Sequence, residues 1–542
     1  MTGGDCNVGP LVVILAAGQG TRAQIFGSWL HKGLLPLGDR PVLTRLLDRL
    51  PSHAHVVFAI GHLGDQLRSF VKLAHPDLHA SFVQVERYSG PGTGPATSLL
   101  ACRYLLNRPF TVTAIDAVYD ETLPAPSGNW IGVADVNDPE NWCTVRTDGS
   151  RVIDLAYRDP EGTSLAYTGT AHVFDVEPFL SGLETTVQDG EVVLDPGFLN
   201  LREHGLEIRR VAWRDAGNEQ TYEAVRSTFG PETTAAGKTN DLTYLIGDRV
   251  LKLTSDPDIA EQLFVRGRAL GDIAPAVYGC SGGVFASERI YGARVIDSFD
   301  PTEIRDCLEW VESRLWQQPK ANLDPKQVRI AMRSMYIDKT LSRVAALLNR
   351  LPDLDEIQSI NGVKCAGIHD LLKLVADDAS GVLSGAVVTP IHGDLHAENV
   401  LVDQSGTMRI IDWRTDFGGL PDVGDLTYDL AKMIHTLEFS TPAMVEHHFS
   451  IDRFGDAVVL SHQGIRELAA SRTAFWSFIR SRGYDETRIV IVDALVFLSM
   501  SPLYDDAIGE YLFLLGKVLL ASAIGDTDRD GADLFEQLFP TR

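Results

Sequence analysis

From Leu11 to about Tyr222, short β-rich runs (LVVILAA, HVVFAIG, PFTVTAID, WIGVADV) alternate with amphipathic segments such as VLTRLLDRL and ATSLLACRYLL. Parallel strands need long crossovers, usually helical, so this alternation restricts the region to a largely parallel sheet flanked by helices. The pattern stops at RSTFGPETTAAGKT, Arg226 to Thr239, which is rich in Gly, Thr and Pro and has no apolar periodicity. A second pattern then begins with the strand-like runs LTYLIGDRVLKLT and GGVFASERIYG. After about Pro301 it passes into the helical patterns EIRDCLEWVESRL, KTLSRVAALLNRL and GIHDLLKLVADD. Strands first and helices later predict an α+β domain with two lobes. The expected organisation is one domain over residues 1–228, a linker over 229–237 and a second domain over 238–542.

Composition narrows the partners. The 542 residues carry 48 Lys and Arg against 73 Asp and Glu, a net charge of −25, which repels phosphate backbones and anionic membrane surfaces. The charge balance argues against nucleic acid as a main partner. It does not exclude a small phosphate ligand, because a few cations, backbone amides and a magnesium ion suffice to hold a nucleotide. The cysteines (Cys6, Cys102, Cys143, Cys280, Cys307, Cys365) are scattered, with no zinc or disulfide spacing. The run LVVILAA is too short for a signal core or a membrane span, and the apolar stretch from Leu512 to Ile524 is broken by Gly516 and Lys517. A soluble cytoplasmic protein without membrane insertion is expected.

The run VVILAAGQGTRAQIFGSWLHKGLLPL sets an apolar strand directly before Gly18, Gln19, Gly20, Thr21 and Arg22, with Lys32 ten residues on. Glycines let the backbone approach a triphosphate and point amides at it, while Arg22 and Lys32 neutralise phosphate oxygens. This composite resembles the nucleotidyltransferases that make activated sugars and CDP-choline, whose signature is L-A-A-G-x-G-[TS]-R followed by a Lys segment. The chain departs from it in having His31 where Pro is usual, and in lacking the Leu after the Arg. The resemblance implies a Rossmann-like (GT-A-like) α/β domain that binds Mg²⁺ through two carboxylates. Asp116, ending TVTAID, matches the first, and Asp215, in VAWRDAGNEQTY, matches the second; Asp120 and Glu121 are acidic competitors for the first role. It also places the reading of the base or ribose on GPGTGPATSLL, with Gly92, Thr93, Gly94, Pro95 and Ala96. The aromatic residues Trp130, Trp142, Tyr157 and Tyr167 are candidates for an acceptor pocket, with core packing as the alternative.

The most specific segment is VVTPIHGDLHAENVLVDQSGTMRIIDWRTDFGG. An apolar strand precedes His392, Gly393 and Asp394; Asn399 follows five residues after the Asp, and a DQSG turn leads to a strand ending in Asp412. A kinase needs a carboxylate to orient the attacking hydroxyl and accept its proton, an amide oxygen for magnesium, and a second carboxylate bridging metal to phosphates. The order parallels the H-R-D-x-x-x-x-N and D-F-G elements of protein kinases. The form H-G-D-x-H-x-x-N with I-D-W resembles more closely the aminoglycoside phosphotransferases and choline kinases, and implies a bilobal protein-kinase-like domain. On that resemblance Asp394 is the catalytic base, Asn399 and Asp412 bind Mg²⁺, His392 is structural and His396 backs the loop. Lys252, in TYLIGDRVLKLTSD, stands where such kinases hold the ATP phosphates, and Glu261 where a glutamate fixes that lysine. KTNDLTY replaces a Gly-rich loop. In GDLTYDLAKMIH, Asp425 is the residue expected to brace the catalytic loop. Phe475 and Trp476 are candidates for an ammonium pocket, against ordinary core packing.

Together the resemblances imply consecutive steps. A kinase phosphorylates an alcohol with ATP, and a transferase joins that phosphate to a nucleotide, releasing pyrophosphate. CTP and an amino alcohol or small polyol are the favoured substrates, and the product is an activated headgroup of the kind used for capsule polysaccharide. Three alternatives stand beside this: a sugar kinase with a sugar-1-phosphate nucleotidyltransferase, a pair in which one domain is a regulatory module, and an antibiotic-modifying enzyme. The intact Lys32, Asp116, Asp394, Asn399 and Asp412 oppose the second, and absence of a G-S-x-D-x-D signature opposes the third.

Overall fold

The computed structural model describes residues 9–20, 29–183, 187–188, 191–230, 241–298, 300–317, 323–378, 381–463, 466–525 and 531–539. Thr21, Arg22, residues 231–237 of the expected linker, and Lys238 to Asn240 lie outside them. The chain forms two compact units, one of residues 1–261 with 278–287 and one of residues 262–277 with 288–542.

In the first unit, nine strands form one sheet: β1 (Leu11–Ala16), β2 (His55–Ile60), β3 (Ala80–Gln84), β4 (Phe110–Ala114), β5 (Trp130–Asp135), β6 (Cys143–Asp148), β7 (Arg151–Tyr157), β8 (Leu165–Val173) and β9 (Glu207–Arg210). Their order is β3-β2-β1-β4-β8-β5-β9-β7-β6. The β3-β2-β1-β4 half is parallel, as the alternation predicts. β8 then runs antiparallel to β4 and β5, so the sheet is mixed beyond that point. β1 is buried along nearly its whole length, the mark of a strand covered on both faces. Helices α1 (Val42–Leu47), α2 (Gly64–Ala74), α3 (Pro95–Ala101) and α4 (Glu219–Arg226) flank the sheet, and α4 opens with a reciprocal cap between Asn218 and Thr221.

A second sheet follows, β10 (Asp241–Ile246), β11 (Arg249–Thr254), β12 (Val277–Ser281) and β13 (Val284–Glu288), in the order β10-β11-β13-β12. Leu242, Tyr244, Leu251, Leu253, Val284 and Ala286 share one apolar core with Leu67 and Phe70 of α2. Polar contacts repeat the attachment: Tyr244 donates its hydroxyl to the Leu34 carbonyl, and Ser69 Oγ lies 2.9 Å from Ser281 Oγ. The compositional break and the compact boundary therefore fall at different places, because the apolar face of this sheet is covered by α2.

The second unit is mainly helical: α5 (Pro257–Leu270) enters it, followed by α6 (Pro301–Val311), α7 (Lys339–Arg350), α8 (Ile368–Ala376), α9 (Leu426–Glu438), α10 (Ala469–Arg482), α11 (Glu486–Met500) and α12 (Asp506–Gly525). The three helical patterns of the sequence are α6, α7 and α8. A hairpin, β14 (Val400–Asp403) with β15 (Met408–Ile410), sits between α8 and α9. α12 is long and apolar enough to cross a membrane, but 72% of its most apolar window is buried inside the fold. Gly516 and Lys517 do not interrupt this helix. Lys517 is fully buried, and its Nζ donates to Asp355 Oδ1 at 3.0 Å and to the Ile357 carbonyl at 2.9 Å.

Candidate active sites

In the first unit the loop after β1 carries Gly18 and Gly20. Gly20 has a φ of 62°, and a Cβ there would lie 3.2 Å from the Lys32 Cβ, so glycine lets the stem of Lys32 cross the loop closely. His31 fills the place where the resembling family has Pro, and does so by hydrogen bonding. Its Nε2 lies 3.1 Å from the Ala16 carbonyl, its Nδ1 accepts from the Gly33 amide, and its own amide donates to Gln66 Oε1 at 2.9 Å. Burial lowers the imidazole pKa to about 4, so the ring is neutral and the segment before Lys32 is pinned to the end of β1.

Lys32 Nζ reaches Asp116 Oδ2 at 2.8 Å. Asp116 stands just past the end of β4. Asp215 is brought beside it by a two-stranded ribbon, Ala117–Tyr119 with Trp213–Asp215, and by the bond from the Ala216 amide to the Asp116 carbonyl at 3.0 Å. A Cβ on Gly217 would lie 3.0 Å from one Asp215 oxygen and 3.2 Å from an Asp116 oxygen, so only glycine leaves the space between the two carboxylates open. Burial first, and Asp116 second, raise the Asp215 pKa, although Thr221 Oγ1 donates to it at 2.9 Å. Two carboxylates flank the space that Gly217 leaves open, and a divalent cation fits that donor set. Among the described residues no cluster of three or more His, Cys, Asp or Glu forms a closed cage, so the remaining ligands would come from phosphate oxygens. Of the competitors, Asp120 is tied to Arg214 and Glu121 is exposed.

Gly92, Thr93 and Gly94 form a tight loop before α3. Thr93 Oγ1 donates to the Gly90 carbonyl at 2.7 Å, the Val192 amide donates to the Thr93 carbonyl at 3.1 Å, and a Cβ on Gly94 would strike the Val192 carbonyl oxygen at 2.5 Å. Among the aromatics, Trp130 is fully buried with its Nε1 on the Ala125 carbonyl, and belongs to the core. Trp142 packs edge-on against Trp213, with 5.1 Å between centroids. Lys252 is central in β11, opposite Thr243. Glu261 is exposed on α5.

In the second unit the catalytic-loop segment is held from within. His392 is completely buried; its Nε2 lies 2.8 Å from the Ile411 carbonyl and its Nδ1 accepts from the Asp394 amide at 3.2 Å. Asn399 Nδ2 donates to the Asp394 carbonyl at 3.0 Å and contacts His396 Nε2 at 3.1 Å. The β14–β15 pairing, extended by the Ile411 amide on the Asn399 carbonyl, carries the chain to Asp412, whose φ is 61°. Asp394 Oδ2 lies 3.8 Å from His396 Nε2 and Asn399 Nδ2 lies 3.1 Å from it, and the charge of Asp412 acts on the same ring. Trp413 next door packs on Gly267 of α5 and donates to the Leu263 carbonyl at 3.2 Å.

Two residues of α9, missed from the sequence, complete this site. Asp429, rather than the expected Asp425, braces the catalytic loop: its carboxylate accepts from the His392 amide at 2.8 Å, the Gly393 amide at 2.7 Å and Trp316 Nε1 at 3.1 Å. Burial raises the Asp429 pKa to about 6 despite those donors. Asp425 instead caps α9 and is held by Arg488 and by Tyr336 Oη at 2.7 Å. Lys432 Nζ pairs with Asp394 Oδ1 at 2.8 Å. Burial acts to raise the Asp394 pKa, but Lys432 and His396 outweigh it and hold the carboxyl well below the usual range. The signal was available in GDLTYDLAK, because positions three apart on a helix share a face and Asp429 and Lys432 are so spaced. Phe475 and Trp476, buried on α10 and packed edge-on at 5.1 Å, are core residues.

Residues 12–125 match the MobA-like NTP transferase domain, and residues 331–457 match the phosphotransferase enzyme family. The two matches place an NTP-transferase-like region and a phosphotransferase-like region in one chain. The first match lies in the α/β unit and the second in the mainly helical unit. Among curated proteins the chain is similar to the bifunctional protein GlmU of Methanococcus maripaludis, 20% identical over 40% of this chain and 54% of that one. The same protein of Methanococcus vannielii is 21% identical over 38% of this chain and 51% of its own length. The chain thus spans about half the length of the curated relatives it matches. Among solved structures, a putative glucose-1-phosphate thymidylyltransferase from Bacillus anthracis has a TM-score of 0.35 at 19% identity, covering 43% of this chain and 98% of that one. A UDP-glucose pyrophosphorylase complexed with UDP-glucose has a TM-score of 0.35 at 14% identity, covering 40% and 97%.

Proposed function

We propose that the phosphotransferase domain phosphorylates a small alcohol with ATP, and that the transferase domain then links this phosphate to a nucleotide, with CTP the favoured donor, releasing pyrophosphate. The observation that carries the second step is the Lys32, Asp116 and Asp215 cradle kept open by Gly217. Nucleotidyl transfer brings an anionic acceptor phosphate to the α-phosphorus of a triphosphate, and its barrier falls when fixed positive charge meets the charge developing there. Lys32, held at the strand end by His31 and Gly20, supplies one such charge. Asp116 and Asp215 would hold Mg²⁺, which neutralises the triphosphate when bound. Gly92 to Gly94 are assigned to the nucleoside, with Thr21, Arg22 and Gly18 on the phosphates.

In the phosphotransferase domain Asp394 orients the attacking hydroxyl. A carboxyl kept strongly acidic by Lys432 is a weak base, which suits a loose phosphoryl-transfer transition state in which positioning outweighs proton removal. Asn399 and Asp412 are assigned to Mg²⁺, Lys252 to the ATP phosphates and Glu261 to the fixing of Lys252. Joining both steps in one chain raises the effective concentration of the phosphorylated intermediate.

The test is mass spectrometry of products after incubation with Mg²⁺, ATP, a mixture of CTP, GTP, UTP and dTTP, and a panel of alcohols, polyols and sugars. A nucleotide-linked alcohol formed only when ATP is present supports the reading, and its mass names the base. A nucleotide sugar would move the assignment to sugar activation, and a phosphorylated alcohol with no nucleotide adduct would contradict the second step.

A further inference from the structure

Helix α9 places Tyr428 and Lys432 one turn apart, and α7 does the same for Lys339 and Arg343, so each pair shares a helix face. Lys339 Nζ lies 5.9 Å from the Tyr428 ring centroid. Arg414, two residues past Asp412, packs its stem on the catalytic loop so closely that a Cβ on Gly393 would lie 2.6 Å from the Arg414 Cβ. Lys432 touches Asp394. Lys339 is common to the group: burial first, then the charges of Arg414, Arg343 and Lys432, lower its pKa. Lys339, Arg414 and Lys432 outweigh burial to lower that of the Tyr428 phenol.

What these cations lack is opposite charge. Among the described residues only Lys432 of the four has an ion-pair partner, and that partner is Asp394 itself. Arg343 donates to the Ser499 carbonyl at 2.9 Å, and Arg414 Nε is buried with no hydrogen-bond partner. In a chain of net charge −25, acidic residues were plentiful enough to neutralise such a cluster. Instead, three cations with no ion pair among the described residues gather around Lys432 and Tyr428, the neighbours of Asp394, and there an ammonium would be repelled and an anion held.

We propose that the phosphotransferase site takes an acceptor alcohol bearing its own anionic group, a carboxylate or a phosphate, seated on Lys339, Arg343 and Arg414 with its hydroxyl turned to Asp394. This rests on the kinase reading above and replaces the amino alcohol expected from the sequence. The hydroxyl oxygen bonds to the γ-phosphorus of ATP, the bond from that phosphorus to the β–γ bridging oxygen breaks, ADP leaves with the electron pair, and the hydroxyl proton passes by way of Asp394 to solvent.

The full-length protein with Mg²⁺ and ATP is assayed against D-glycerate and glycerol 3-phosphate on one side, and ethanolamine, choline and glycerol on the other, reading ADP and phosphorylated product. The expected result is turnover of an anionic acceptor at a kcat/KM at least about 100-fold above the others, with D-glycerate and glycerol 3-phosphate separating carboxylate from phosphate recognition. In Lys339→Gln and Arg343→Gln the KM for that acceptor should rise about 10-fold, while kcat and the KM for ATP change by less than about 3-fold. Preference for ethanolamine, choline or glycerol, or an unchanged acceptor KM in both variants, overturns the proposal. Acceptor-independent ADP release that Asp394→Asn abolishes reports the kinase reading separately. Calorimetric titration of D-glycerate and glycerol 3-phosphate into the protein loaded with a non-hydrolysable ATP analogue reads acceptor binding without turnover: if neither binds wild type more tightly than Lys339→Gln, the proposal fails.

Discussion

Each unit presents an aspartate and a lysine in contact at 2.8 Å, Asp116 with Lys32 and Asp394 with Lys432, and the surroundings give the two pairs opposite characters. Around the first, a second carboxylate is added, Asp215, whose pKa rises because it is buried beside Asp116. Among the described side chains that site sets two carboxylates against one lysine, a donor set that suits a cation. Around the second, Lys339, Arg343 and Arg414 gather beside Lys432, while Lys432 and His396 outweigh burial and hold the carboxyl of Asp394 well below the usual range. That side of the site has an excess of positive charge and is made for an anion. An ion pair therefore says little about what a site binds; the charge left over after pairing says more.

The largest expected effect comes from filling the first site. Gly217→Val sets a side chain between Asp116 and Asp215, and nucleotidyl transfer should fall by about 100-fold or more while phosphotransfer is unchanged. Retained transfer would remove the cradle from the account. Next is Lys432→Met, expected to lower phosphotransfer about 30-fold and leave transfer intact, because Asp394 loses its nearest positive charge. That carboxyl should also become easier to protonate, so the acid limb of the phosphotransfer pH profile moves to higher pH. An unmoved limb would mean that Lys432 does not set the acidity of Asp394.

A smaller effect concerns stability. Glu438 and Asp493 are buried together, and burial raises the Glu438 pKa to about 7. The folded state then holds a proton that the unfolded state releases above the ordinary carboxylate range. Stability is full below that range and falls as pH rises from about 4.5 towards 7, by up to about 1.4 kcal/mol per pH unit for one proton. Glu438→Gln should flatten this dependence, so that thermal midpoints of variant and wild type diverge by a few degrees between pH 5 and pH 7.5. Parallel curves would show that the pair does not hold the proton.

What was legible in the sequence was local. His392 to Asp412 could be read because the chain itself supplies the spacing of a strand, a loop, an amide and a turn back to a carboxylate, and the glycines before Lys32 were legible for the same reason. The mixed half of the central sheet was not, since strand direction beyond β4 depends on pairing partners far along the chain. Asp429 and Lys432 were missed because their partners lie more than thirty residues upstream, and Asp425, four residues before Asp429, looked equivalent until the helix set one aspartate under the loop and the other at its own N-cap. His31 reads as a departure in the sequence, yet three hydrogen bonds let it pin the loop where proline would. The attachment of β10 to β13 to α2 was hidden because it rests on burial against a helix some two hundred residues earlier.

The most direct test of two independent chemistries in one chain is to compare Asp116→Asn and Asp394→Asn, each assayed for ATP-dependent phosphorylation of the acceptor and for nucleotide transfer onto an added phosphorylated acceptor. Asp394→Asn should lose phosphorylation by about 100-fold or more and keep transfer, and Asp116→Asn should show the reverse. Loss of both reactions in either variant, with folding intact, would contradict the account.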